Sequence, residues 1–199
     1  MPSSNRTARG CGGGEPTGPD ARTVVKFELL ADLDTEPAGA TVIFDACESL
    51  GAVNLRGTGF AARDVVTQEL QAHIGGVLHR VELNVTGLAG FLLAKTAAAY
   101  SRRQGKDWYD LAFVLLHNDA GGPTAAAAAV RERFGDDVVG STIVALDDLA
   151  ANFALPSAQG PEAYASQMLM DHPELNRVTL LADAVVAIGE YHAAVLAGR

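Results

Sequence analysis

The sequence predicts an α+β fold, with a mixed sheet in its N-terminal half followed by a C-terminal helical bundle. Three observations predict it. β-branched, alternating segments are confined to residues 23–85, apolar residues recur at helical spacing from residue 86 onward, and the 199-residue chain is about one domain long. Residues 1–22 read as a disordered lead-in, because Arg6, Arg9 and the run Gly12-Gly13-Gly14 leave no apolar segment of the kind secretion needs. Thr23-Val24-Val25-Lys26-Phe27-Glu28-Leu29-Leu30 predicts the first strand, and Pro37 and Gly39 follow as turn residues. Thr41-Val42-Ile43-Phe44 predicts the next. Residues 64–70 and 77–85 alternate again, with Gly75-Gly76 as the turn between them. Thr86 is placed to cap a helix running through Tyr100. Residues 107–117 predict a second helix, and Pro123 opens an alanine-rich third. Residues 141–153, 161–170 and 174–196 bring the total to six. The chain thus divides into a lead-in (1–22), a sheet-rich core (23–85) and a helical region (86–199) packed on the same core.

Composition narrows the function classes. Hydrophobic residues at 48% and charged residues at 20% exclude a wholly disordered or collagen-like chain. Lys and Arg number 15 against 24 Asp and Glu, a net charge of -9, so phosphate recognition requires positive charge gathered locally. Cys11 and Cys47 form no CxxC pair and no disulfide framework, which fits a reducing cytoplasm. Apolar stretches are interrupted by charge or glycine before the roughly 20 residues of a spanning helix, so no membrane partner is expected. The histidines His73, His79, His117, His172 and His192 lack metal-ligand spacing, and no Gly-x-Ser-x-Gly elbow occurs.

The chemistry-bearing stretch runs from residue 88 to 111. Lys95 stands alone inside an apolar helix, and burying an ammonium costs several kcal/mol unless it is paired, so this lysine requires a carboxylate partner or a route to solvent. Arg102, Arg103 and Lys106 place three positive charges within five residues, a candidate phosphate-binding cluster that would equally complement a helix C-terminus. Asp107 and Asp110, at i and i+3, share one face of the next helix. Asp107 also occupies a helix N-terminus, where a carboxylate is favoured in any case.

The pattern Leu92-Leu93-Ala94-Lys95, followed by Arg102-Arg103 and Lys106-Asp107-Trp108-Tyr109-Asp110-Leu111, resembles the lysine helix and the Lys-Asp-x-Tyr-Asp-Leu helix of AbiEii-like nucleotidyltransferases. These are the abortive-infection and MenT toxin relatives, and the resemblance covers about residues 23–155. It implies a nucleotidyltransferase palm packed on helices, with Lys95 and Asp110 as catalytic residues and Asp107 supporting them. It also implies Mg²⁺ and a nucleoside triphosphate as cofactors, a possible RNA acceptor, and an antitoxin protein as partner. Glu28, in Phe27-Glu28-Leu29, resembles the strand carboxylate that supplies a third acidic group in many nucleotidyltransferases. The resemblance further implies that Glu28, Lys95 and Asp110 meet in one cleft.

The family's N-terminal Gly-Ser and Asp-x-Asp strand has no counterpart upstream of residue 23, so the chain reads as truncated at its start. Asp32-Leu33-Asp34 is spelled Asp-x-Asp and is the candidate metal pair, although Pro37 and Gly39 place it in a loop. The expected function is therefore a nucleotidyltransferase-like protein whose ancestral metal-dependent transfer of a nucleoside monophosphate is weak or lost. The alternative is a non-catalytic nucleotide-binding or protein-interaction module, a degenerate component of a toxin or antitoxin system.

Overall fold

Strands and helices separate along the chain in an α+β arrangement across residues 28–197, which the computed structural model describes. Strands β1 (Leu30–Ala31), β2 (Thr41–Phe44) and β3 (Cys47–Asn54) form one small sheet in the order β1-β3-β2. Within it β1 runs parallel and β2 antiparallel to β3. Strands β4 (Val65–Ile74) and β5 (Val77–Thr86) form a separate antiparallel ribbon. A short helix, α1 (Phe60–Arg63), lies between the two sheets in sequence. Six longer helices follow: α2 (Leu88–Arg102), α3 (Gly105–His117), α4 (Pro123–Phe134), α5 (Ser141–Asn152), α6 (Gln159–Asp171) and α7 (Arg177–Leu196).

Three expectations are corrected. Among the described residues the single mixed sheet is two sheets, because no strand there bridges β4 or β5 to the β1-β3-β2 group. Of the strand expected at residues 23–30, only Leu30 lies in β1, and residues 23–27 fall outside the described residues. The third is β3, which the pattern missed because Cys47-Glu48-Ser49-Leu50-Gly51 neither alternates nor carries β-branched residues. Pairing with β2 makes it a strand. A Cβ at Gly51 would stand 2.7 Å from Thr41 Cγ2, so the glycine lets the neighbouring side chains lie across the strand.

Asn54 ends β3 fully buried, and its amide organises the loop that follows β1. Its Oδ1 accepts from Leu33 N at 2.8 Å, and its Nδ2 donates to the carbonyls of Leu33, Glu36 and Pro37 at 3.0, 2.9 and 3.2 Å. One side chain thereby satisfies several loop backbone groups that no sheet ladder reaches. The β4–β5 turn is as expected from Gly75-Gly76: φ values of 59° and 81° put both residues in the left-handed region that a two-residue hairpin turn requires.

The core lies among the helices. Leu92 and Leu93 of α2, Leu111 and Leu115 of α3, Leu146 of α5 and Ile188 of α7 are all essentially without exposure. The alanine run of α4 is a packed one, with Ala126 and Ala127 fully buried where α4 meets α2 and α7. Helix α7 is, by length and composition, apolar enough to cross a membrane, which the sequence reading did not expect. Its face of Leu180, Ala184, Ala187, Ile188, Tyr191 and Val195 packs instead against α4 and α6.

Two buried tyrosines set a pH limit on this core. Burial pushes the Tyr164 phenol up to about 12, with Asp183 and Tyr109 adding to the shift, and burial alone holds Tyr191 far above its ordinary value. The folded chain keeps these protons where the unfolded chain releases them above about pH 10, so stability falls as pH rises from there. The Tyr191 hydroxyl also has no hydrogen-bond partner. Tyr191→Phe is therefore expected to raise stability by about 1 kcal/mol at neutral pH, by removing an unsatisfied buried donor, and to flatten the alkaline loss. Urea denaturation at neutral pH and above pH 10 measures both effects, and a destabilised Tyr191→Phe chain would contradict the account.

Candidate functional site

The site is built on a sharp reversal between α2 and α3. Arg103, at φ 50° and ψ 43°, is the single non-glycine residue with positive φ among the described residues, and its N–H donates to the Ala99 carbonyl at 3.0 Å. This left-handed cap ends α2, and α3 begins two residues later, so the first turn of α3 lies beside the last turns of α2. Lys95 and Arg102, seven residues apart, share one face of α2. Asp107 and Asp110 face them from α3.

The resulting cluster is tightly paired. Lys95 Nζ donates to Asp107 Oδ1 at 3.1 Å and lies 2.7 Å from Asp110 Oδ2. Arg102 donates to the same Asp107 carboxylate, from Nη2 to Oδ1 at 2.7 Å and from Nε to Oδ2 at 3.2 Å. The Asp107 side chain is 2% exposed, against 22% for Asp110 and 32% for Arg102. Lys95 is thus a paired, mostly buried ammonium rather than one reaching for solvent. Next to the cluster, Tyr109 stacks between Phe113 and Tyr164, and burial, aided by Asp171 and Asp110, raises its phenol and keeps it neutral.

Lys95 and Arg102 also line a cavity of about 490 Å³ whose wall is mostly apolar, formed by Leu30, Leu55, Ala61, Phe91, Ala94 and Ala98. Two carboxylates that the sequence reading did not assign to this task hold the cavity in shape. Asp64 Oδ2 accepts from Gly90 N at 2.8 Å, capping the first turn of α2 from outside the helix. The cap expected from Thr86 is absent, because Gly87 occupies the N-cap position and the Thr86 hydroxyl donates to the Gly87 carbonyl. A Cβ at Gly90 would meet the Phe60 carbonyl at 2.6 Å, so α1 and α2 approach this closely only over glycine. Asp64 lies 26 residues from the amide it caps. No local pattern marks so distant a pairing.

The second carboxylate is Asp32. Its Oδ1 accepts from Gly57 N at 3.1 Å and its Oδ2 from Gly59 N at 2.7 Å, which fixes the entry to α1. Asp34 accepts from Arg56 through its backbone carbonyl. Among the described residues no group of three or more His, Cys, Asp or Glu side chains is placed to hold a metal ion. Asp32 and Asp34 do not fit a Mg²⁺ site, since both oxygens of Asp32 are engaged by backbone amides and, among the described residues, no third His, Cys, Asp or Glu side chain is close enough to complete a metal site.

The remaining candidates disperse. Arg103 reaches α5, where it pairs with Asp148 at 2.6 Å, and its guanidinium lies over the Tyr100 ring. Lys106 is exposed, and Glu28, at the start of the described residues, is exposed and is not among the residues lining the cavity. Arg102 is therefore tied to Asp107 and Arg103 to Asp148, while Lys106 is exposed. A second cavity, of about 700 Å³, is lined by Asp32, Asp34, Asp136 and Asp137 with Arg56 and Tyr100, an acidic surface unsuited to phosphate.

The chain matches no family model, no curated protein and no solved structure.

The pairing makes a test of rank order. Asp107→Ala would leave Arg102 without its carboxylate and Lys95 with only Asp110, and removing one member of a buried charge pair costs about 3–5 kcal/mol. Asp110→Ala leaves Lys95 bound to Asp107 and removes a partly exposed group, so it is expected to cost well under half as much. Chemical denaturation of both variants decides the order, and equal losses would mean that Asp107 is not the centre of the cluster.

Proposed function

We propose that this chain is a nucleotidyltransferase-like protein that binds a nucleoside triphosphate at the Lys95–Arg102 cavity, with nucleotidyl transfer weak or lost. The observation that carries this reading is the juxtaposition of two cations with an apolar cavity on the same face of α2. The apolar wall suits a nucleobase, and the cations suit the phosphates. Lys95 spends two of its three protons on Asp107 and Asp110, and Arg102 uses Nε and Nη2, so each has a donor left over for an incoming anion. The resemblance of Lys95 and Lys106-Asp107-Trp108-Tyr109-Asp110-Leu111 to the AbiEii-like motifs supports the same ligand class.

Weak binding and absent transfer follow from the charges. Lys95, Arg102, Asp107 and Asp110 sum to zero, so a triphosphate meets oriented donors but no net positive field. Phosphoryl chemistry of this class relies on divalent cations that bridge the phosphates, and the Asp32-Leu33-Asp34 carboxylates are a poor holder for one. An RNA acceptor and an antitoxin partner stay with the family resemblance, and a cytoplasmic setting with the unpaired thiol of Cys47.

Calorimetry at low salt tests the reading. ATP is expected to bind, and to bind about tenfold more weakly to Arg102→Gln, equivalent to about 1.4 kcal/mol. Labelled triphosphate with Mg²⁺ or Mn²⁺ and bulk RNA is expected to give no transfer above background. Absence of ATP binding at low salt would remove the proposal. Robust transfer that disappears in Asp32→Ala or Asp34→Ala would instead make those residues the metal site.

A further inference from the structure

The β4–β5 ribbon has two unlike faces. Its register pairs Val66 with Val85, Gln68 with Leu83, Leu70 with Val81, Ala72 with His79 and Ile74 with Val77, and side chains alternate, so these ten residues share one face. The other face carries Thr67, Glu69, Gln71, His73, Arg80, Glu82, Asn84 and Thr86, with Val65 at its base and Leu78 opposite His73 as its apolar members. There the directly opposed Glu69 and Glu82 are relieved by Arg80, 3.7 Å from Glu69, and by Gln71, whose amide donates to Glu69 at 2.6 Å. The polar face has partners within the ribbon. Among the described residues nothing covers the apolar face: Val66, Leu70, Ile74, Val77, Val81 and Leu83 are between 43% and 65% exposed.

We propose that this apolar face is a homodimer interface, covered by the same face of a second copy of the chain. Two observations select a second copy as the occupant. The first is charge. At a net -9 two chains repel each other over much of their surface, yet this face carries no carboxylate and no cation, only Gln68 and His79 among apolar side chains. Two copies meeting here about a two-fold axis bring no like charges together, and the face is complementary to itself. The second is area. The exposed apolar surface amounts to roughly 600 Å² per chain, at the upper end of what monomers leave uncovered and close to the roughly 800 Å² per partner of a standard interface.

The ribbon's own stability points the same way. Its main contact with the rest of the chain is that of β5 with α1, together with the bond from Gly87 N to the Asp64 carbonyl at its base. A two-stranded ribbon without a packed face is marginal in water, whereas two ribbons stacked face to face form a small sandwich with a shared core.

Sedimentation equilibrium of the full 199-residue chain across micromolar concentrations tests the proposal. A mass of twice 20.7 kDa is expected, falling to 20.7 kDa when Leu70→Lys and Val81→Lys are combined across the strand pair. The control pair Thr67→Lys and Asn84→Lys adds the same charge to the opposite face and is expected to leave the dimer intact. Leu70→Thr with Val81→Thr keeps strand-compatible side chains while removing apolar surface, and it is expected to raise the dissociation constant about a hundredfold. Far-UV circular dichroism reports the helical core in each variant. A monomer at every concentration would overturn the proposal, as would a dimer broken by the Thr67 and Asn84 pair and not by the Leu70 and Val81 pair.

Discussion

The carboxylate of Asp107 is the interaction on which the chemistry of this molecule depends. It sits in the first turn of α3 with almost no exposure and accepts from both Lys95 and Arg102, which lie two helical turns apart on α2. Without it, Lys95 would keep only the partly exposed Asp110 and Arg102 would lose its carboxylate, and leaving a buried charge short of its partner costs several kcal/mol. With it, α2 and α3 are locked in one relative orientation and both cations are held at the edge of an apolar cavity. The left-handed Arg103 serves this geometry. It turns the chain sharply enough for the carboxylate to reach back, and its own guanidinium is tied to Asp148 on α5.

The rest of the cavity is held by carboxylates acting on backbone amides. Asp32 fixes the approach to α1 and Asp64 the first turn of α2, while Asn54 organises the loop between β1 and β2. Arg63 adds a clamp, lying over the rings of Phe60 and Phe134 and pairing with Asp137 at 2.6 Å, so α1 is tied to α4 and to the turn that follows it. In this acidic chain, then, several aspartates are committed to structure. That commitment is the physical reason Asp32, although spelled as part of Asp-x-Asp, is a poor metal ligand.

The two halves of the fold differ in how fully their apolar residues are covered. The helices bury large side chains on several elements at once, whereas β4 and β5 leave a ten-residue face in water. A helix can satisfy its backbone alone and bury one stripe against any neighbour. A strand pair satisfies only half of its edges and needs another layer to cover its apolar face. On the opposite face of the ribbon, by contrast, the opposed glutamates have found an arginine and a glutamine, so its charges are satisfied in water.

The sequence by itself determined the six long helices, the Gly75-Gly76 hairpin, the alternation of β4 and β5, and the need of Lys95 for a carboxylate or a route to solvent. These are local matters of spacing, turn conformation and the cost of burying charge, all settled within a few residues. It also placed Lys95 and Asp110 in one cleft, and the structure adds Asp107 as the second carboxylate on Lys95. Only the tertiary structure decided that the strands form two sheets, that β3 is a strand, that Asp64 rather than Thr86 caps α2, and that Arg103 turns away from Arg102. β3 becomes a strand through its β2 partners, up to 12 residues away, and the others depend on still more distant groups, as with Asp64 and Gly90 at 26 residues or Arg103 and Asp148 at 45. Over such separations local pattern carries no information about which donor meets which acceptor, and packing of the whole chain makes the choice.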